Sequence, residues 1–364
     1  MGRHKENWAG YRRMIIELCM EYGFVPRMFL SQLVAPSQKV MLRRLGEMIN
    51  EGVITKYSYN KQTVVGLNKK NINQIAEYYG YDIKEHYISH TEALYDTFRW
   101  RKSDHQGNLR LYESGIIGCM MYGICESITG DKKDIEKAIA PTYYSSMEYK
   151  RMLSDNNGIQ TLQSTGSRNY GVLKKSDGLY FIYYIKQKYK MDYITESKTI
   201  LSLNKYGTLH NAGGYKGSVM FVKGYDVMGN LLRDPSHPNL AIIRNVLKSC
   251  RVYELTKEGK DQLKVFVDGH DIKRSLLSPD QISGAKDLIC DGYDENGYYL
   301  VLCDPDIAKL MDFMDLSQVK DDNFTLFIFK NQLPMVEHLK HRMKIKVVNF
   351  TKLCETFSRN NNNK

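Results

Sequence analysis

The chain has 364 residues, 42% of them hydrophobic, and a net charge of +11. This length and apolar content exclude a disordered polymer and suggest two or three domains of roughly 150 residues each. The longest apolar run, residues 115–125, is shorter than the roughly 20 residues of a membrane-spanning helix, and the N-terminus lacks the apolar segment of a secretion signal, so we expect a cytoplasmic protein with no membrane partner.

Positive charge is concentrated at one end of the chain. Residues 1–70 contain twelve Lys/Arg against five Asp/Glu, a local charge of +7, which leaves only +4 for all the other residues. Charge placed in this way is typical of a nucleic-acid-binding domain.

Three amphipathic helices are predicted in this basic segment. Apolar side chains recur at helical spacing in residues 10–22, and a second short helix is expected to begin at Pro26, which suits a first helical turn. Ser37 stands in the position of an N-cap for a third helix, which ends at Gly52. The predicted buried stripe of the third helix is Met41, Leu45, Met48 and Ile49.

After Gly52 the apolar period changes from 3.6 to 2. Residues 53–59 and 63–67 then predict a two-stranded hairpin with a polar tip at 60–62. Three helices followed by a hairpin predict a winged helix-turn-helix, whose third helix enters the major groove and whose hairpin approaches the DNA backbone. The alternative is a protein-docking module, which has no need of a charge of +7.

The predicted DNA-binding residues lie in the second helix, in the third helix with its N-cap, and in the hairpin. They are Arg27, Ser37, Gln38, Lys39, Arg43, Arg44, Lys56 and Lys61. We expect Gln38, Lys39 and Arg43 to read bases, and Lys56 and Lys61 to contact phosphates.

Residues 71–165 predict a mostly helical connector, with helical patterns at 71–79, 92–101, 110–127 and 131–140. Paired tyrosines, including Tyr143-Tyr144 and Tyr183-Tyr184, raise the alternative of a tyrosine nucleophile for DNA nicking. With 27 tyrosines in the chain such pairs are expected by chance, and the His-apolar-His metal motif of nicking enzymes is absent from the sequence.

Residues 169–185 predict a second hairpin, which turns at Ser176-Asp177-Gly178. Asp177, followed by Glu196 and Lys198, has the Asp, spacer, Glu-x-Lys form of metal-dependent nucleases, in which two carboxylates hold Mg²⁺ and the lysine steadies the attacking water. The alternative is structural, because Asp177 is a natural turn residue and residues 195–204 resemble a helix.

From Gly217 onward short apolar runs alternate with helical patterns, which predicts a mainly parallel sheet covered on both faces. Asp304 and Asp306 follow one of these strands, at the edge where α/β folds place ligands. They are similar to the Asp-x-Asp that holds Mg²⁺ in Toprim domains, although Lys223 stands where that family has its catalytic glutamate. The alternative is a helix start after a strand.

The basic head, read together with SRNYGVLKKSDGLYFIYYI at residues 167–185, resembles the replication-relaxation proteins of bacterial plasmids and conjugative elements. That resemblance implies an N-terminal winged helix, a nuclease-like α/β region, and a function in the replication or transfer of mobile DNA.

These observations predict an α/β protein with a winged helix-turn-helix at 1–70, a connector at 71–165, a mainly parallel, Rossmann-like or nuclease-like α/β domain at 166–358 and a disordered tail at 359–364. The expected function is sequence-specific binding of double-stranded DNA in a mobile element, as a replication or relaxation factor or a regulator. The alternative is a Mg²⁺-dependent DNA-nicking enzyme of relaxase or nuclease type. Expected partners are double-stranded DNA, a second copy of the chain, and relaxosome or replication proteins. No cofactor is expected except Mg²⁺ in the catalytic alternative.

Overall fold

The computed structural model describes residues 3–35, 37–71, 73, 75, 77, 105–125, 141–146, 148, 149, 167–186, 190–285 and 289–361. The chain divides into two compact units, residues 1–134 and residues 135–364. Both helices and strands are present, as the α/β expectation required. Within the described ranges, no helix combines the length and the apolar character needed to cross a membrane.

The first unit begins with three helical segments and a hairpin. Its elements are α1 (Arg3–Tyr22), β1 (Val25–Pro26), α2 (Arg27–Phe29) with a π-helical turn (Leu30–Val34), α3 (Gln38–Asn50), β2 (Ile54–Tyr59), β3 (Gln62–Leu67), a 3-10 turn (Lys69–Asn71) and α4 (His105–Met121).

The predicted hairpin forms, and it belongs to a three-stranded antiparallel sheet. The strand order is β1-β3-β2, so that β3 lies in the middle. Asn60 and Lys61 form the tip and both have positive φ, 45° and 63°, as a two-residue turn matched to the twist of a hairpin requires. Pro26 lies in β1 opposite Val64, and the second helix begins one residue later than predicted, at Arg27.

Helix α3 buries the stripe that its sequence predicts. Met41, Leu45 and Met48 are at most 1% exposed, while Ile49 is half-buried. Helix α3 packs against β2, and α4 packs against both α1 and β1. Helix α4 therefore belongs to the first unit, although the sequence placed it in the connector.

The second unit opens with a five-stranded sheet. Its elements are β4 (Thr142–Ser145), β5 (Gly171–Lys175), β6 (Gly178–Ile185), α5 (Tyr193–Leu209), β7 (Tyr215–Val222), α6 (Tyr225–Leu232), α7 (Pro238–Ile242) with a π-helical turn (Ile243–Leu247) and β8 (Cys250–Glu254). The strands follow chain order across the sheet. The pairs β4–β5 and β5–β6 are antiparallel, and the pairs β6–β7 and β7–β8 are parallel.

A four-stranded sheet follows. The elements are α8 (Lys257–Val267), α9 (Ile272–Leu276), α10 (Pro279–Gly284), β9 (Gly292–Asp294), β10 (Gly297–Val301), α11 (Ile307–Val319), β11 (Phe324–Phe329), a 3-10 turn (Lys330–Gln332), α12 (Leu333–Val336), a 3-10 turn (Glu337–Leu339), β12 (Lys344–Val348) and α13 (Phe350–Asn361). The strand order is β12-β11-β10-β9, with β9 antiparallel to β10 and the other pairs parallel.

The second unit therefore contains two mixed sheets where a mainly parallel sheet was expected. The predicted strands beyond Gly217 do pair in parallel, but they are divided between two sheets, and each sheet adds antiparallel strands. The edge strand β4 falls in the predicted connector, and the predicted disordered tail overlaps α13, which runs to Asn361. The helical patterns at 92–101 and 131–140 lie outside the described residues.

Candidate functional site

The N-terminus of α3 is open to solvent. Ser37 occupies the predicted N-cap position, but its hydroxyl makes no capping hydrogen bond. Ser37, Gln38 and Lys39 are all exposed. The first amides of a helix have no acceptor within the helix and carry the positive end of its dipole, so they favour an anion such as a phosphate.

Three lysines of the first unit carry charge that the rest of the described chain does not neutralise. Lys39 in α3, Lys56 in β2 and Lys61 at the hairpin tip are exposed, and within the described ranges none of them has an ion-pair partner. Exposed ammonium groups without a carboxylate partner are available to an external anion.

The acidic side chains described near this surface are already occupied or buried. The contacts are Arg13 Nε to Glu17 Oε1 at 2.8 Å, Arg44 to Glu47 Oε2 at 2.8 Å, Arg43 Nε to Glu47 Oε1 at 3.8 Å, and an ion pair between Arg12 and Glu51. Glu21 is 2% exposed. The charge that remains exposed here is therefore mostly positive.

The two arginines of α3 differ in availability. The Arg43 side chain is 65% exposed and lies 3.8 Å from Glu47, whereas Arg44 is 23% exposed and donates a 2.8 Å hydrogen bond to Glu47. Arg43 thus remains accessible as predicted, while Arg44 is held by its helix neighbour. The ion pairs of Glu47 were not predicted, although its spacing of three and four residues from the arginines is that of helix ion pairs. Arg27 is half-buried at the start of α2.

Asp177 and Glu196 are held on opposite faces of the five-stranded sheet. The Tyr180 hydroxyl donates to Asp177 Oδ2 at 2.8 Å, and the Tyr183 hydroxyl donates to Glu196 Oε2 at 2.6 Å. Tyr180 and Tyr183 are three residues apart on β6, so their side chains point to opposite faces. The structure does not bring the two carboxylates into one metal site.

Glu196 and Lys198 are also separated. They lie on α5, where residues two apart are turned about 200° from each other, whereas on a strand they would share a face. Glu196 is 2% exposed and also accepts from Ser167 Oγ at 2.9 Å, while Lys198 is exposed. The Glu-x-Lys pattern therefore lies in a helix, with Glu196 buried and Lys198 exposed.

Glu196 gives the second unit a testable pH dependence. Burial raises the pKa of Glu196 above its ordinary value of 4.5, against the lowering effect of the hydrogen bonds from Tyr183 and Ser167. Because the folded pKa is raised, the stabilisation linked to this proton is full below about pH 4.5 and is lost as the pH rises through the folded pKa.

We therefore expect Glu196→Gln to become more stable relative to the wild type as the pH rises from about 4 to about 7. The glutamine amide oxygen can accept from Tyr183 and Ser167 without carrying a buried charge. Thermal melts of both proteins across this range measure the difference in Tm. A difference that stays constant or shrinks with pH would contradict the assignment.

Asp304 and Asp306 are occupied by protein contacts. Arg251 binds Asp304 through two hydrogen bonds, Nε to Oδ1 at 2.6 Å and Nη2 to Oδ2 at 2.9 Å. Asp306 caps α11, and it also accepts from the Ser249 hydroxyl at 2.6 Å and the Cys250 amide at 3.1 Å. Both carboxylates thus already bind cationic or N–H and O–H donors, which favours the structural alternative, and a metal-binding role for this pair stays a prediction.

The segment Asp304-Pro305-Asp306, called here the sheet joint, connects the two sheets of the second unit. It follows β10, and its Pro305 carbonyl accepts from the Val252 amide of β8 at 3.0 Å. Asp306 forms a single antiparallel bridge with Arg251. The Asp-x-Asp pattern therefore has a structural explanation.

Four of the nine acidic residues in the stretch 291–322 form ion pairs within the second unit. Asp291 is 5% exposed and pairs with Lys273 and Lys309; although burial raises its pKa, the two lysines hold it below the ordinary value. Arg244 pairs with Asp312 and Asp315. Among the residues that the structure describes, no group of three or more His, Cys, Asp or Glu is placed to hold a metal ion.

In the tyrosine pairs that the structure describes, every member is buried except Tyr184, which is half-buried. Tyr143, Tyr144 and Tyr183 are at most 1% exposed, and burial raises the pKa of Tyr183 well above its ordinary value. Tyr298 and Tyr299 are also buried. A buried phenol that resists ionisation is a poor nucleophile for a DNA phosphate.

Comparison of the chain with models of protein families, with curated proteins and with solved structures gives no match.

Proposed function

We propose that the first unit is a winged helix-turn-helix that binds double-stranded DNA, with α3 in the major groove and the β2–β3 hairpin against the phosphate backbone. The order of elements supports this proposal: three helical segments precede a hairpin, β1 pairs with β3, and α3 packs against β2. In proteins of this kind the N-terminal residues of the recognition helix reach the base edges.

The observation that carries the proposal is the set of three exposed lysines, Lys39, Lys56 and Lys61, which have no ion-pair partner in the described part of the chain. Three glutamates of the same unit, Glu17, Glu47 and Glu51, are paired with arginines. Unpaired lysines with an uncapped helix end favour a polyanion as the ligand.

The biological process in which the DNA is bound is inferred from the resemblance to replication-relaxation proteins. That resemblance implies replication or relaxation of a mobile element, or the regulation of either. The DNA-nicking alternative has no support from the second unit. Asp177 and Glu196 accept hydrogen bonds from tyrosines on opposite faces of its five-stranded sheet, and Asp304 forms an ion pair with Arg251. A footprint with two symmetric half-sites would indicate that the protein binds as a homodimer.

The salt dependence of duplex binding tests the proposal. Replacing both Lys56 and Lys61 by alanine should remove two phosphate contacts, and each contact contributes about 0.9 to the slope of log K against log salt. We expect the slope to become shallower by about 1.8. Fluorescence anisotropy with a labelled duplex at several salt concentrations measures it.

The matched control is the double variant Lys205→Ala and Lys216→Ala, which removes the same charge from exposed positions of the second unit. Its slope should equal that of the wild type. If the hairpin variant and this control gave the same slope, or if the wild type failed to bind duplex at low salt, the proposed interface would be wrong.

A further inference from the structure

Helix α4 contacts the hairpin at its tip. The Tyr112 hydroxyl of α4 donates a 2.5 Å hydrogen bond to Oε1 of Gln62, the first residue of β3. The rings of Tyr112 and Tyr59, the last residue of β2, lie with centroids 5.4 Å apart and planes tilted by 37°. One side chain of α4 therefore touches both strands where they meet the tip.

Two glycines allow α4 to lie this close. A Cβ on Gly115 would come within 2.2 Å of the Phe24 carbonyl oxygen, and a Cβ on Gly118 within 2.3 Å of the Tyr22 ring. Tyr112 precedes Gly115 by three residues and so lies near the same face of the helix. The close contact with the chain around β1 thus sets the position from which Tyr112 reaches the hairpin.

The tip needs such support. Asn60 and Lys61 adopt left-handed backbone conformations, and Lys61 is exposed. β1 pairs with β3 only at Val64 and Val65, so the hairpin is two-stranded toward its tip, and a two-stranded hairpin is marginally stable by itself. Phe24 packs edge-on against Tyr57, with ring centroids 5.0 Å apart, and this contact lies two residues before that of Tyr112 with Tyr59.

We propose that Tyr112 is a positioning residue for DNA binding, which fixes the hairpin tip so that Lys61 meets a phosphate of the duplex. This inference rests on the proposed function, because Tyr112 acts through Lys61 and does not itself touch DNA. Ordering the tip before binding removes part of the conformational entropy that the complex would otherwise lose.

Hydrogen–deuterium exchange of the free protein tests whether Tyr112 orders the hairpin tip in the absence of DNA. Tyr112→Phe removes the hydrogen bond to Gln62 and keeps the ring. We expect the amides of residues 59–63 to exchange about two- to tenfold faster, the factor that corresponds to the net contribution of one hydrogen bond. Tyr122→Phe, which removes another half-buried hydroxyl of the first unit, is the control and should leave these amides unchanged.

A double-mutant cycle on a labelled random-sequence duplex tests the link to DNA. Tyr112→Phe should weaken binding by about two- to tenfold when Lys61 is present, and it should have little effect in the Lys61→Ala background. A purely structural role for Tyr112 would weaken binding by the same factor in both backgrounds.

The outcomes separate the inference from the proposed function. If the wild type binds duplex and the two substitutions act additively, or if Tyr112→Phe leaves exchange at 59–63 unchanged, the positioning role is wrong and DNA binding stands. If the wild type does not bind duplex, the proposed function is wrong. The positioning role in DNA binding is then wrong as well, even if Tyr112→Phe speeds exchange at 59–63.

Discussion

Replacing Arg251 with methionine is expected to lower the free energy of unfolding of the second unit by about 3 kcal/mol. The substitution removes both hydrogen bonds to Asp304 and the 2.7 Å hydrogen bond to Ser249. It leaves the Asp304 carboxylate, 23% exposed, without its cation. Urea denaturation followed by far-ultraviolet circular dichroism measures the loss.

The expected loss is large because the ion pair lies at the sheet joint. Arg251 belongs to β8 of the five-stranded sheet, and Asp304 follows β10 of the four-stranded sheet. Arg251 also stacks its guanidinium over Phe266 of α8, with the carbon of the guanidinium 4.4 Å from the ring centroid. Loss of the arginine therefore weakens the attachment of one sheet to the other.

Two controls separate this contribution from a general effect of charge. Arg251→Met combined with Asp304→Leu should recover at least 1 kcal/mol relative to Arg251→Met alone, because the unpaired carboxylate is removed as well. Asp315→Asn removes a carboxylate that is 61% exposed and pairs with Arg244, and it should cost less than about 1 kcal/mol.

An Arg251→Met variant no less stable than Asp315→Asn would contradict the structural role of the sheet joint. If Mg²⁺ instead raised the Tm of the wild type but not that of Asp304→Asn, the result would support Mg²⁺ binding by Asp304 and Asp306. A ligand that binds only the folded state stabilises it.

Replacing Lys39 and Arg43 together by alanine is expected to weaken binding to a preferred duplex on the order of 100-fold. Each side chain is a predicted base reader, and a good contact to a base is worth about 1–3 kcal/mol of discrimination. The preferred duplex can be selected from a random pool with the wild type. Titration of the variant with that duplex and with a scrambled duplex then gives the loss of affinity and of discrimination.

The control for this variant is Glu47→Gln, which should act in the opposite direction. Glu47 Oε1 lies 3.8 Å from Arg43 Nε, so replacing this carboxylate releases the Arg43 guanidinium and takes a negative charge away from the proposed interface. We expect tighter binding to both duplexes. An alanine double variant that still distinguished the preferred from the scrambled duplex would show that α3 does not read the sequence.

Much of the fold follows from local pattern. The hairpins at 54–67 and 171–185 lie where apolar alternation and turn residues predict them, and beyond Gly217 strands alternate with helices as the apolar runs predict. Their signals come from residues close in sequence, because backbone period and turn chemistry are local properties.

The candidate sites show where local pattern fails. Asp177, Glu196 and Lys198 match a short nuclease pattern, yet that chemistry requires the three groups to converge, and convergence depends on which face of β6 and of α5 each side chain occupies. The contact of Tyr112 with Gln62 joins residues fifty apart, and nothing in either local sequence indicates it.

The sequence by itself determined the two hairpins, the concentration of positive charge in the first seventy residues and the lysines of α3 and the first hairpin, because composition and periodicity are properties of the chain. Only the tertiary structure decided that the strands of the second unit divide into two sheets, that Arg251 forms an ion pair with Asp304, and that Glu196 is buried and accepts a hydrogen bond from Tyr183. These outcomes depend on pairings between residues far apart in sequence, where burial requires every carboxylate to find a donor.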